Sequence, residues 1–170
     1  MNFDDKVVVI TGAARGLGQE YARQFARRGA SVVACDLLDC GETLDIIREE
    51  GAEGRALQTD VTSPESTTAM ADAAVEAFGG IDILVNNAAL YGSLTFVPFD
   101  RLDEREWDST MNVNVKGIWQ CCKAVVPAMK ARSGGSIINV SSLAATYGMP
   151  NGQHYTASKA AVIGLTRGLA

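Results

Sequence analysis

Lys6-Val-Val-Val-Ile-Thr-Gly-Ala-Ala-Arg-Gly-Leu-Gly18 is the stretch that decides the fold. Its first half, Lys6–Ile10, is a continuous β-branched run rather than an alternating one, which predicts a strand buried on both faces. Its second half, Thr11–Gly18, is a glycine-rich turn that runs into a helical pattern. Glycines let the backbone turn tightly and approach a pyrophosphate closely, and the following helix start offers unpaired N–H groups at a positive dipole end. Between a buried strand and a helix, such a loop favours dinucleotide binding over a plain tight turn. Gly12, Arg15, Gly16, Leu17 and Gly18 are therefore candidate cofactor-binding residues.

Outward from this loop, apolar runs alternate with helical patterns. Leu17, Tyr21 and Phe25, four apart, predict the apolar face of a first helix closed by Gly29. A strand at Ser31–Asp36 follows, then a weaker helix carrying Leu44 and Ile47. Arg55–Asp60 is the least strand-like of five strand candidates. Ser63 can cap the next helix and Pro64 fits its first turn, with Met70, Ala74 and Phe78 on one face and Gly79 at the end. Ile81–Asn86 and Ser136–Ser141 read as strands on either side of a long helix from Ser109 to Ala131, in which Pro127 predicts a kink or an early end. Strand–helix repeats with short connections imply an α/β protein with a Rossmann-type doubly wound parallel sheet in three α/β/α layers. One domain over residues 1–170 is the simplest division. The last helical pattern begins at Tyr155 and reaches Ala170 without a stop signal, so the chain reads as truncated at its C-terminus.

Composition narrows the function. A net charge of −5 offers no long-range attraction for phosphate backbones, which argues against nucleic acid as a partner. Cys35, Cys40, Cys121 and Cys122 form no disulfide framework, and His154 is the single histidine, so no metal site is expected. No signal peptide and no membrane-spanning run is legible, and the expected location is the reduced cytoplasm.

Asp36 ends the second strand eighteen positions after Gly18. A carboxylate there can accept hydrogen bonds from the adenosine ribose hydroxyls and would repel a 2′-phosphate. Arg15 pulls the other way, because a guanidinium could pair with that phosphate. A direct acidic contact weighs more, so NAD is favoured over NADP. Tyr155 and Lys159 are four apart on a helical pattern and share a face. An ammonium beside a phenol favours its ionised form, which makes the pair a candidate general acid/base.

Together with Asn86-Asn87-Ala88-Ala89, the Asn114 of Asn-Val-Asn-Val-Lys-Gly117, and the Ser142 of Ile-Asn-Val-Ser-Ser, these motifs resemble the short-chain dehydrogenase/reductase family over essentially the whole chain. The resemblance implies an NAD(P)-dependent oxidoreductase that passes a hydride between the nicotinamide and a secondary alcohol or ketone. Tyr155 would exchange the hydroxyl proton. Lys159 would bind the nicotinamide ribose and favour the phenolate, Ser142 would hydrogen-bond the substrate oxygen, and Asn114 would hold a water linking Lys159 to solvent. Asp60 and Val61 match the pair used at the adenine ring, while Asn87 and Ala88 line the cofactor site. A homodimer or homotetramer is implied, formed through the helices at Ser109–Ala131 and from Tyr155 onward. Family members continue beyond the last helix into further strands and a substrate-covering region, so an incomplete fragment that binds nucleotide or self-associates is the alternative reading. Ala89 departs from the family's glycine, and its methyl threatens the backbone or the cofactor. Leu90–Phe99 and Leu143–Gln153 are mixed apolar and small, which suggests a moderately hydrophobic substrate. His154 reads as rim or structural, and Trp107 and Trp119 as core or interface.

Overall fold

A computed structural model describes residues 2–170. Five strands, β1 (Val7–Thr11), β2 (Ser31–Asp36), β3 (Gly54–Gln58), β4 (Ile83–Asn86) and β5 (Ser136–Asn139), form one sheet in the order β3-β2-β1-β4-β5. All four pairings are parallel. Strand order reverses between β1 and β4, so the crevice beyond their carboxyl ends is the topological switch point at which such sheets bind ligands.

Helices α1 (Gly16–Ala26), α2 (Gly41–Glu49), α3 (Pro64–Phe78), α4 (Glu104–Met111), α5 (Gly117–Ala131), α6 (Ala144–Tyr147) and α7 (Gln153–Leu169) complete the chain. The sheet divides the core in two. Val8 and Ile10 of β1 face Ala22, Ala26 and Ile47 of α1 and α2, while Val9 faces Met70, Val125 and Val162 of α3, α5 and α7. This is the expected three-layer arrangement, with β1 buried along its whole length. Asp82 anchors the amino ends: it accepts the Val7 N–H at 2.9 Å and pairs with Lys6 and Arg132.

Four local expectations are corrected. The fully buried stripe of α1 is Gly18, Ala22 and Ala26; Tyr21 and Phe25 are half-buried and pack against the same core, while Leu17 is 63% exposed. The reason is distance: α1 lies so close to the glycine loop that only small side chains fit beneath it, and a methyl on Gly18 would stand 2.0 Å from the Gly12 carbonyl oxygen. The long helix starts earlier than Ser109, at Glu104, where the Asp103 carboxylate caps the Arg105 N–H, and it passes through a π-helical segment at Asn112–Lys116. Pro127 does not end α5, which runs on to Ala131. The backbone bond that Pro127 forgoes belongs to the carbonyl of Lys123, an exposed residue that water can reach. The last helix begins at Gln153 rather than Tyr155. Elsewhere the capping chemistry holds: Ser63 Oγ accepts the Ser66 N–H, and Gly79 closes α3 in the left-handed conformation.

Candidate active site

The glycine loop joins β1 to α1. Gly12 and Gly16 have φ of +67° and +60°, a region open to glycine without steric cost. A Cβ on Gly12 would meet the Ala88 backbone at 2.8 Å, so the loop and the segment after β4 touch backbone to backbone. Asn87 fixes that approach, its Nδ2 donating to the carbonyls of Thr11 (3.1 Å) and Gly12 (3.0 Å). Thr11 answers: its Oγ1 accepts the N–H groups of Asn87 and Ala88. The N-terminus of α1 has no side-chain cap, which leaves its first N–H groups for a ligand or water.

A cleft of about 410 Å³ opens at this point. Gly12, Arg15, Asp36, Asp60, Val61, Asn87 and Ala88, all expected at a cofactor site, line it, together with Leu37, Leu38, Thr59 and Leu90. Asp36 is fixed there by two backbone donors, Ala14 N–H to one oxygen and Leu38 N–H to the other, both at 3.0 Å. Each oxygen keeps a further acceptor site. Asp60 closes a turn by accepting from Thr62 N (2.8 Å) and Oγ1 (2.7 Å). Gly16, Leu17 and Gly18 are not among the cleft-lining residues; Gly18 lies buried beneath the loop. Ala89 also lines the cleft, exposed and with φ outside the left-handed region, so its methyl crowds no backbone.

Of the four catalytic candidates, Tyr155 and Lys159 share α7, Asn114 is bonded to α7 through Ser158, and Ser142 follows the end of β5 to which Lys159 is bonded. Lys159 is almost wholly buried, and its Nζ donates to the Val140 carbonyl at 2.8 Å, while Ser141 Oγ donates to the Lys159 carbonyl at the same distance. These bonds bind α7 to the end of β5 and set Ser142 beside it. Burial pushes the Lys159 ammonium below its ordinary pKa. Its Nζ stands 5.9 Å from the centre of the Tyr155 ring, one turn earlier. Ser142 Oγ accepts the Ala144 N–H at 3.1 Å and retains its own proton to donate.

Asn114 sits in the π-helical segment, fully buried. Its Oδ1 accepts the Leu90 N–H at 2.7 Å, and its Nδ2 donates to the Leu90 carbonyl and to Ser158 Oγ. Both amide hydrogens are thereby committed, so the side chain joins the segment after β4 to α7. Ser158 Oγ in turn donates to the Tyr155 carbonyl at 2.8 Å. Sequence reading had missed Ser158, Ser141 and Thr11. Only Thr11, directly before Gly12, carried a positional signal; the two serines become visible once α7 is laid against β5.

His154 is fully buried rather than at a rim. Trp107 and Trp119 are 38% and 46% exposed and so are not core residues. Trp119 lines a separate, more open hollow of about 670 Å³ with Met111, Val115 and Leu165, which holds none of the four catalytic candidates. No helix among the described residues is long and apolar enough to cross a membrane.

A doubly wound sheet with a glycine loop at its switch point is the architecture of dinucleotide-binding proteins. A family model described as short chain dehydrogenase matches residues 6–170, and the chain belongs to that family of oxidoreductases. It is 40% identical over 98% of its length to a 3-oxoacyl-(acyl-carrier-protein) reductase of Thermotoga maritima, covering 68% of that protein. It is 44% identical over 96% of its length to a trans-4-hydroxycyclohexanecarboxylate dehydrogenase of Sinomonas cyclohexanicum, covering 64% of it. Among solved structures, a 7α-hydroxysteroid dehydrogenase complexed with NADH and 7-oxo glycochenodeoxycholic acid superposes with a TM-score of 0.93 at 36% identity, over 99% of this chain and 66% of that one. The chain thus spans about two-thirds of the length of the relatives it matches.

Proposed function

We propose that residues 1–170 act as one nucleotide-binding domain that holds NAD in the Gly12–Asp36–Asp60 cleft and transfers a hydride between it and a moderately hydrophobic secondary alcohol or ketone. The observation that carries this reading is the set of bonds that tie the helix bearing Tyr155 and Lys159 to Asn114, through Ser158, and to the end of β5 that leads into Ser142. The residues fit the cofactor: the glycine cradle leaves no room for a Cβ at Gly12, and the N–H groups at the start of α1 lack a side-chain cap. When bound, the nicotinamide supplies the hydride acceptor or donor. Asp36 accepts hydrogen bonds from ribose hydroxyls and disfavours a 2′-phosphate, so NAD is held in preference to NADP. Tyr155 takes the alcohol's proton or returns one to the ketone, Ser142 donates to the substrate oxygen as charge grows on it, and Lys159 keeps positive charge next to the phenol. Asn114 holds the Leu90 segment against α7, and its family role with a water beside Lys159 extends that part.

Relatives that are a trans-4-hydroxycyclohexanecarboxylate dehydrogenase and a 7α-hydroxysteroid dehydrogenase support the substrate class, as do the Tyr91 ring against Tyr155 and Phe96 against Tyr91. Self-association through α4, α5 and α7 is supported by the apolar hollow containing Trp119. A reduced, cytoplasmic setting accords with four buried free cysteines, whose thiols burial pushes upward, Cys40 to about 11 and Cys121 to about 12. One observation favours the second reading, nucleotide binding and association without turnover: Ile138 on edge strand β5 is 45% exposed, so that face lacks cover. The test is a panel of secondary alcohols and ketones with each nicotinamide cofactor, followed by absorbance. Turnover that Tyr155→Phe removes while NADH still binds supports hydride transfer. Saturable NADH binding with no turnover of any panel member favours the second reading.

A further inference from the structure

His154 is wholly buried, yet neither ring nitrogen has a hydrogen bond of good geometry. The Glu106 carboxylate on α4 stands at ion-pair distance from it, with Nε2 3.2 Å from Oε1. The two groups stand at this distance without hydrogen-bond alignment, which a small rotation of the ring would supply. The same Oε1 accepts the Thr95 N–H from the segment that follows β4. That N–H holds the Glu106 carboxyl below its usual pKa, with His154 adding a smaller effect.

Three consecutive residues at the start of α7 touch that segment. Gln153 Nε2 reaches the Val97 carbonyl at 3.5 Å, His154 is joined to Thr95 through Glu106, and the Tyr155 ring lies 4.8 Å from the Tyr91 ring, centre to centre. Gln153 and His154 therefore hold a segment whose far end packs on Tyr155 itself. Phe96 lies against both Tyr91 (6.0 Å) and His154 (6.3 Å), which closes the wall.

We propose that Glu106 and His154 are positioning residues: as a latch between a buried imidazole and a partly exposed carboxylate, they fix the Tyr91–Val97 wall over Tyr155 and so set how a substrate meets the phenol. This deepens the proposed function and rests on it where turnover is concerned. The latch touches neither substrate nor cofactor, so its loss acts on substrate fit, not on nucleotide binding.

The experiment compares Glu106→Ala, Glu106→Gln and His154→Phe in the full 170-residue chain. Hydrogen exchange of residues 91–97 is measured without substrate, and KM and kcat are measured where turnover exists. Glu106→Ala and His154→Phe should each speed exchange in 91–97 and raise KM about tenfold, the loss of roughly one hydrogen bond to a charged group, with kcat little changed. Glu106→Gln keeps an oxygen that can accept both donors and should rescue both readouts. The double variant should be no worse than the worse single, because both break one link. Unchanged exchange in His154→Phe, or a fall in kcat with KM unmoved, overturns the latch. So does failure of Glu106→Gln to rescue. Should no alcohol or ketone be turned over, exchange alone decides the latch, and the hydride-transfer reading fails separately.

Discussion

Gly18→Ala adds a single methyl at the tight backbone contact beneath the nucleotide loop. The new Cβ would stand 2.0 Å from the Gly12 carbonyl oxygen and 2.7 Å from Asn87 Nδ2, where ordinary contact begins at 3.4 Å. Loop and helix must therefore part by about 1.4 Å, the difference between the backbone distance and ordinary contact. The obstructing atom is backbone, so no rotamer change relieves it. Overpacking of this kind costs about 1–3 kcal/mol of stability, readable as a lower urea midpoint with an unchanged slope. Binding should suffer more than stability. Displacing the N–H groups of the loop from a pyrophosphate forfeits on the order of two hydrogen bonds to a charged group, about 3–6 kcal/mol. That corresponds to a weakening of NADH binding by about 10²-fold or more. Gly16→Ala is the control, since no atom lies within 4 Å of its Cβ and only its φ of +60° is strained. It should cost about 1–2 kcal/mol of backbone strain and far less affinity. The assay is fluorescence titration, following energy transfer from the tryptophans to NADH. Wild-type affinity in folded Gly18→Ala would refute the reasoning, as would equal losses in the two variants.

Other outcomes follow from the same geometry. Asp36→Ala should weaken NADH and narrow or reverse the preference over NADPH, measured as a ratio of dissociation constants; an unchanged ratio would remove Asp36 from the discrimination. Asn114→Ala leaves the part-buried Leu90 N–H without its partner, so about 1–3 kcal/mol of stability should be lost in urea unfolding. Because burial holds Lys159 below its ordinary pKa, the unfolded chain binds more protons between the folded and unfolded values. The Lys159 contribution to stability therefore rises with pH across that window, up to the unperturbed value near ~10.4. Lys159→Met should flatten that rise while abolishing turnover, and an unaltered stability-versus-pH slope would contradict the burial argument.

How far the sequence carried depends on which forces wrote each feature. Order and parallel pairing were legible because the β-branched runs of β1 and β2 and the capped start of α3 obey local rules. β3, with Arg55 and Gln58 on an edge, lacks an apolar signature and owes its place to pairing with β2. On α1 the helical spacing of large residues held for Tyr21 and Phe25, which pack against the core, and failed for Leu17, which is exposed. Only the backbone contact between Gly18 and Gly12 reveals why the glycine and alanines turn inward. The π-helical segment around Asn114 leaves no mark in composition, as it depends on α4 and α5 packing on different neighbours. Asn114, Ser142, Tyr155 and Lys159 were readable as motifs. Their hydrogen-bond partners on distant segments were not, and sequence leaves His154 open between a rim and a structural role because Glu106 lies 48 positions away, on another helix.

The most direct test of the central claim is titration of the purified chain with NADH and, separately, with NADPH, following energy transfer from Trp107 and Trp119. The account predicts saturable binding of both with NADH the tighter. Tighter NADPH binding would mean that Arg15 outweighs Asp36, and no binding by folded protein would contradict the assignment of this cleft to a nicotinamide cofactor.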